Sequence, residues 1–238
     1  MSKLFEELDY QETPLGPVSL RRRRDLRLDV DIMEIMLGDE HLMSDLFTTS
    51  EIALATEGLS ANEQNKPLSV VVGGLGMGFT ANAALCDERV DELLIIEKLL
   101  PVINWHQDGL IPHGRELCQN AKVRFVEGDF FVMAEGEWGF DPSTSGKKFD
   151  AILLDIDHSP DFFLTPAHKE FYELHGLRNL KRHLCSGGIF ALWSNKPQED
   201  RFLHRLKSVF TTARAQDITF YNPLQDRDFR QSIYLAFN

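Results

Sequence analysis

Four glycines within six positions, directly after a β-branched run, constrain this chain more than any other feature. Residues 68–80 read Leu-Ser-Val-Val-Val-Gly-Gly-Leu-Gly-Met-Gly-Phe-Thr, and an alanine-rich segment with Ala81, Ala83 and Ala84 follows. That is the pattern of a buried strand, a tight loop and a helix. Glycine admits positive φ and lets a ligand approach the main chain, and the first turn of the next helix carries unpaired N–H groups that suit an anionic group. The loop, with Gly73, Gly74, Leu75, Gly76 and Gly78, is a candidate nucleotide-cofactor site.

Spacing narrows the choice. The dinucleotide fingerprint wants glycines at the first, third and sixth positions, but counted from Gly74 the sixth position is Phe79. A second apolar run, residues 92–97, ends in Glu97. A carboxylate at the tip of the second parallel strand can accept hydrogen bonds from both ribose hydroxyls of a ligand lying across the strand ends. The pairing resembles the S-adenosylmethionine site of Rossmann-like transferases.

The 238 residues suffice for one large domain, or for one domain and a small appendage. A formal net charge of −12 argues against non-specific nucleic-acid binding, which needs a surplus of Lys and Arg. Cys86, Cys118 and Cys185 are far apart and odd in number, so neither a disulfide framework nor a zinc site is indicated. No apolar run reaches membrane-spanning length and the first residues lack an apolar leader core, so a cytoplasmic protein without a membrane partner is expected.

Residues 8–45 read as β structure, with a turn at 14–17, an alternating strand at 25–32, and a bulge or change of face at Met33. Arg21 to Arg24 read as a solvated strand edge. A helix is predicted over 46–58, capped by Thr48, Thr49 or Ser50 and ended by Gly58. The polar stretch 60–67 suggests a boundary between an N-terminal β region with its connecting helix (1–60) and a main domain (61–238). Strands and helices then alternate, as in βαβ architecture. Asp129 and Phe130 follow a third strand, where an acid beside a ring could receive the amine of adenine and cover the base. A fourth strand, 149–154, delivers Asp155, Asp157 and His158 at its carboxyl end, where open α/β sheets bind ligands. Asp155 would orient the amino end of a cofactor, and Asp157 or His158 would hold an amine or take its proton. No metal site is expected. A helical stretch at 166–183 breaks near Gly176, and two closing strands suggest a hairpin whose last strand runs antiparallel at the sheet edge.

At this point the chain resembles the spermidine synthase (aminopropyltransferase) family within the class I S-adenosylmethionine-dependent methyltransferase-like superfamily. The resemblance rests on the glycine loop, Glu97, Gly128 and Asp129, the strand ending at Asp155, Phe171 and Tyr172, and Gly187 to Ile189. It implies an α/β, Rossmann-like class I methyltransferase fold: a mostly parallel seven-stranded sheet with an antiparallel last strand, and a small N-terminal β region. It carries over a ribose role for Glu97 and an adenine role for Asp129. Two departures stand out. The family's loop reads Gly-Gly-Gly-Asp-Gly-Gly, with its acid where this chain has Gly76, and the acid at the fourth position of its catalytic run is replaced by His158. The family's Tyr-His pair after the N-terminal region also lacks a counterpart, since Thr49, Ser50 and Glu51 stand there.

The lost acids are those expected to grip a diamine, so the leading expectation is methyl transfer from S-adenosylmethionine to a small acceptor such as an amine. The alternative is aminopropyl transfer from decarboxylated S-adenosylmethionine, and a third reading is a cofactor-binding paralogue without turnover. A few strands with alternating faces do not stand alone, and related enzymes commonly dimerise through such regions. Sedimentation at high micromolar concentration is therefore expected to show a homodimer; a clean monomer would remove that inference.

Overall fold

The valine run before the glycine loop becomes an interior strand of the main sheet. A computed structural model describes residues 4–238; Met1 to Lys3, part of the opening stretch read above, lie outside it. Four antiparallel strands form a first sheet in sequence order: β1 (Phe5–Thr13), β2 (Gly16–Asp25), β3 (Val30–Leu37) and β4 (Glu40–Ser44). After α1 (Thr49–Ser60) the chain alternates through β5 (Leu68–Gly73), α2 (Phe79–Leu85), β6 (Val90–Glu97), α3 (Leu100–Asp108), α4 (Gly114–Gln119), β7 (Val123–Glu127), α5 (Phe130–Glu135) and β8 (Phe149–Leu154). A 3-10 segment (Pro166–Tyr172), α6 (Leu174–Lys181), β9 (Leu184–Ser194), α7 (Asp200–Val209), β10 (Thr212–Asn222) and β11 (Arg227–Phe237) complete it.

The second sheet has the order β10-β11-β9-β8-β5-β6-β7. Strands β5 to β9 are parallel to their neighbours, and β11 runs antiparallel to β9 and β10. The last strand is thus interior, and β10 takes the edge that the sequence assigned to β11. Successive side chains of the central strands point to opposite faces, and both faces are buried. Val70, Val72, Leu93, Ile95 and Leu153 face a core shared with α1, α2 and α3. Val71, Leu94, Ile96, Ile152 and Leu154 face the core under α5, α6 and α7. Helices cover both faces, which is why these strands read as unbroken apolar runs.

Several local readings change in the structure. The alternation at 25–32 is interrupted by a turn, because the Asp25 carboxylate accepts from the N–H groups of Arg27 and Leu28 (both 3.0 Å) and folds the chain back. Arg21 to Arg24 do not guard an edge. They sit on β2, paired on both sides, and reach acids of β1 and β3, such as Arg23 to Glu34 at 2.7 Å. The irregularity of β3 falls at Ile35/Met36 against β4 instead of at Met33. The break in the 166–183 helix falls at Glu173, and Gly176 lies inside α6, where an added β-carbon would come within 2.4 Å of the main chain of Glu170 and Phe171.

Val18, Leu20, Met33 and Ile35 of the first sheet join the core that holds Leu75, Leu99, Val102 and Trp105. The Trp105 indole N–H donates to Asp9 at 2.6 Å, and Arg27 donates to the carbonyl of Leu224 at 2.7 Å. On the other side of that core, Gly58 does not end α1. It lies within the helix, where an added β-carbon would come within 2.9 Å of Leu153 and 3.1 Å of Ala191. Glycine there lets α1 settle on the sheet. Gly58→Val is therefore expected to lower stability by about 1–3 kcal/mol through overpacking, read as the midpoint of denaturant unfolding. An unchanged midpoint would mean that the helix has slack.

Candidate active site

Strand register brings the carboxyl ends into one line. Gly73 is level with Leu154 of β8 and Ile96 of β6, and Leu154 is level with Leu192 of β9. The residues just beyond, Trp193, Asp155, Gly74 and Glu97, therefore stand side by side, with Gly128 and Asp129 past the end of β7. They open on one cavity of about 200 Å³, roofed by the first sheet through Ile35, Leu37, Leu42 and Met43.

The glycine loop crosses the floor. Gly74, at φ +93°, passes so close to β8 that a β-carbon would meet the Asp155 carbonyl at 2.4 Å. Gly76, at φ +48°, lies under Met43, whose sulfur would be 2.4 Å from such a carbon. Any side chain at 76 would have to displace the roof. Gly73 backs onto the Phe130 ring and Gly78 caps α2 beside His106, so neither joins Gly74, Leu75 and Gly76 on the cavity wall. The ring of His106 is fully buried, and its Nε2 bonds the Gly76 carbonyl at 2.9 Å. Burial pushes the His106 pKa down, so the ring stays neutral, with Nε2–H as donor.

Glu97 ties the loop to the next helix. One carboxylate oxygen accepts from Leu75 N–H at 2.9 Å and the other from Leu99 N–H at 2.8 Å. Burial raises its pKa, and the N–H groups of Leu99, Leu75, Gly76 and Lys98 pull it back. A carboxylate offers about four lone-pair directions, so both oxygens keep capacity for ribose hydroxyls. Past the end of β7, Asp129 Oδ1 caps α5, accepting from Phe131 N–H at 2.9 Å and Val132 N–H at 3.3 Å, while Oδ2 receives Lys98 at 2.7 Å. Burial pushes this carboxyl up, but Lys98 and the helix N–H groups outweigh it and the net shift is downward. Phe130 is packed in the core against Phe140 and shows only an edge. Phe131, also largely buried, borders the cavity and is stacked on His168 with ring centroids 3.7 Å apart.

The three residues proposed at the end of β8 part company. Asp155 faces the cavity, and the Thr80 hydroxyl donates to its Oδ2 at 2.7 Å. Asp157 does not reach it: only 1% exposed, its carboxylate accepts from Leu164 N–H, His168 Nδ1 and the Tyr172 hydroxyl, and pins the following loop. It is a positioning residue instead of an acid–base group. His158 lines the cavity, but its Nε2 donates to Glu40 of β4 at 2.9 Å, so it clasps the roof to the floor.

One residue outside the sequence-based site completes it. Glu51, in the first turn of α1, faces the same end of the cavity as Asp155, and the Thr80 hydroxyl lies 3.3 Å from its carbonyl. Burial, then the charge of Asp155, raises the Glu51 pKa to about 7; burial raises that of Asp155 to about 6, against the pull of Thr80. The two carboxyls titrate as a pair and hold a proton between them near neutrality.

No family model matches the chain, and no curated protein matches it in sequence. Solved structures do. The chain is similar to a spermidine synthase in complex with the transition state analogue AdoDATO, with a TM-score of 0.74 and 14% identity over 97% of this chain and 73% of that one. It is also similar to spermidine synthase from Thermotoga maritima (TM-score 0.72, 14% identity, 97% and 72% covered). A third is a probable spermidine synthase from Corynebacterium glutamicum (TM-score 0.63, 15% identity, 96% and 79% covered). Over nearly its whole length, the chain therefore has the fold of these spermidine synthases.

Proposed function

We propose that the protein transfers an aminopropyl group from decarboxylated S-adenosylmethionine to an amine. One observation carries this reading over methyl transfer, the leading expectation from the sequence. That expectation needs open N–H groups in the loop to receive the cofactor's carboxylate. Four of the five from Gly74 to Gly78 are engaged: Gly74 with the Ile96 carbonyl, Leu75 with Glu97, Met77 with the Met43 sulfur at 3.1 Å, and Gly78 with the Leu75 carbonyl, while the fifth, Gly76, helps to hold the charge of Glu97. The same end of the cavity presents Glu51 and Asp155. A carboxylate arriving there would meet like charge, whereas an ammonium would find two acids. The spermidine synthases of the same fold support this assignment.

Such a donor supplies a sulfonium, which makes the adjoining methylene electrophilic. Glu97 holds the ribose, and Phe131, His168 and Asp129 border the base. Asp155, oriented by Thr80, takes a proton from the acceptor ammonium, so that nitrogen presents a lone pair in line with the carbon–sulfur bond. The nitrogen–carbon bond forms as the carbon–sulfur bond breaks, and the sulfur leaves as a neutral thioether with the electron pair. Glu51, sharing the pair's remaining proton and charge, holds the donor's ammonium.

Calorimetry should find decarboxylated S-adenosylmethionine bound at least tenfold tighter than the carboxylated form, about 1.4 kcal/mol. The opposite preference restores methyl transfer. Asp155→Asn should cut turnover by roughly 10²- to 10⁴-fold with little change in thioether binding. The wild-type rate should climb as pH passes through about 6 to 7, where the pair gives up its proton.

The same pair marks stability. Both carboxyls bind a proton more tightly folded than unfolded, so their contribution is full below about pH 4 and is lost as pH rises through 6 to 7. Glu51→Gln removes one ionisable member. It should gain on the wild type by about 1–2 kcal/mol between pH 5 and pH 8, seen as a shallower fall in the thermal midpoint. Parallel pH profiles for the two proteins would sink the paired-carboxyl account.

A further inference from the structure

Resting on aminopropyl transfer as the chemistry, the cavity also restricts what the acceptor can be. Strand β4 crosses the roof from His158, held by Glu40, to Gly76, covered by Met43. Leu42 lies between those anchors. Leu37 pairs with Glu40, and Val18 pairs with Leu37, which brings the β1–β2 turn and Leu15 to the His158 end. Beyond Asp155, on the side away from Glu97, the cavity is therefore walled by Leu15, Leu37 and Leu42 above and Trp193 at the end of β9.

The charges there can be counted. Among the described residues, Glu51 and Asp155 supply the carboxylates on this part of the wall; the Thr80 hydroxyl donates to that of Asp155 and lies against the main-chain carbonyl of Glu51. The carboxylate of Asp157 is buried under its own partners, and that of Glu40 is taken by His158. Two acids serve two nitrogens, the donor's ammonium and the reacting amine. A second ammonium on the acceptor would lie among leucines with no anion to pair with, which is costly, whereas a hydrocarbon chain would be favoured there.

We infer that the acceptor is a monoamine with an apolar tail, and that Leu15, Leu37 and Leu42 select against diamines. The test reads binding, so it does not need turnover. The full chain is saturated with 5′-methylthioadenosine, the thioether product, and titrated calorimetrically with hexylamine and with 1,4-diaminobutane. Hexylamine should bind at least tenfold tighter. Leu37→Asp should shift the ratio at least tenfold towards the diamine, and Leu15→Glu, on an exposed turn where the fold tolerates a charge, should shift it the same way. Equal or tighter binding of the diamine by the wild type overturns the inference, as does absence of binding by either amine while the thioether binds. If neither the thioether nor decarboxylated S-adenosylmethionine binds, the transfer reading itself falls and the acceptor assignment with it.

Discussion

A single buried carboxylate sets the shape of the site. Glu97 receives the main chain of the glycine loop on one oxygen and the start of α3 on the other. The loop's other tie to the end of β6 is the Gly74 N–H on the Ile96 carbonyl at 3.0 Å, so this acid is what joins the loop's path to the first turn of α3. Burying a charge is costly unless hydrogen bonds satisfy it, and here main-chain donors do so. The geometry offered to a ribose is thus fixed before any ligand arrives, which lowers the ordering cost of binding.

Around that fixed point the polar groups are sorted by depth. His106 and Asp157 are buried and spend their bonds on holding loops, whereas Asp155 and Glu51 stop at the cavity wall. Distance along the chain says little about this division. Asp155 and Asp157 are two residues apart, yet one faces the cavity and the other the packing behind it. The two carboxyls on the wall are therefore a pair drawn from α1 and the end of β8, which the packing of α1 on the sheet brings together.

The sheet, and the meeting of the glycine loop, Glu97 and Asp129 at one cavity, were readable because they follow local rules: β-branched strands, a glycine loop with little room for side chains, and an acid at a strand tip. What escaped the sequence depends on partners distant in the chain. Glu51 looks like an ordinary acid in a helix's first turn, and nothing local marks it as the neighbour of Asp155. Met43 reads as a strand hydrophobe, but its sulfur occupies the place above Gly76. The turn at Asp25 was masked by a period-two pattern, because a side chain capping its own main chain leaves no trace in hydropathy. The interior position of β11 depends on the pairing order, which alternation cannot reveal.

The first sheet is attached to the main domain largely through the cavity's own surroundings: Met43 on the loop, Glu40 on His158, Asp9 on Trp105, and the apolar face of β2 and β3 on α3. Four strands without a second layer of their own depend on that attachment to stay folded. Occupancy of the cavity and order of the sheet are therefore thermodynamically linked: a ligand held between roof and floor stabilises the strands above it, and fraying of those strands opens the chamber to solvent. Amide hydrogens of β3 and β4 would then exchange through openings smaller than global unfolding, and their protection would report how full the chamber is.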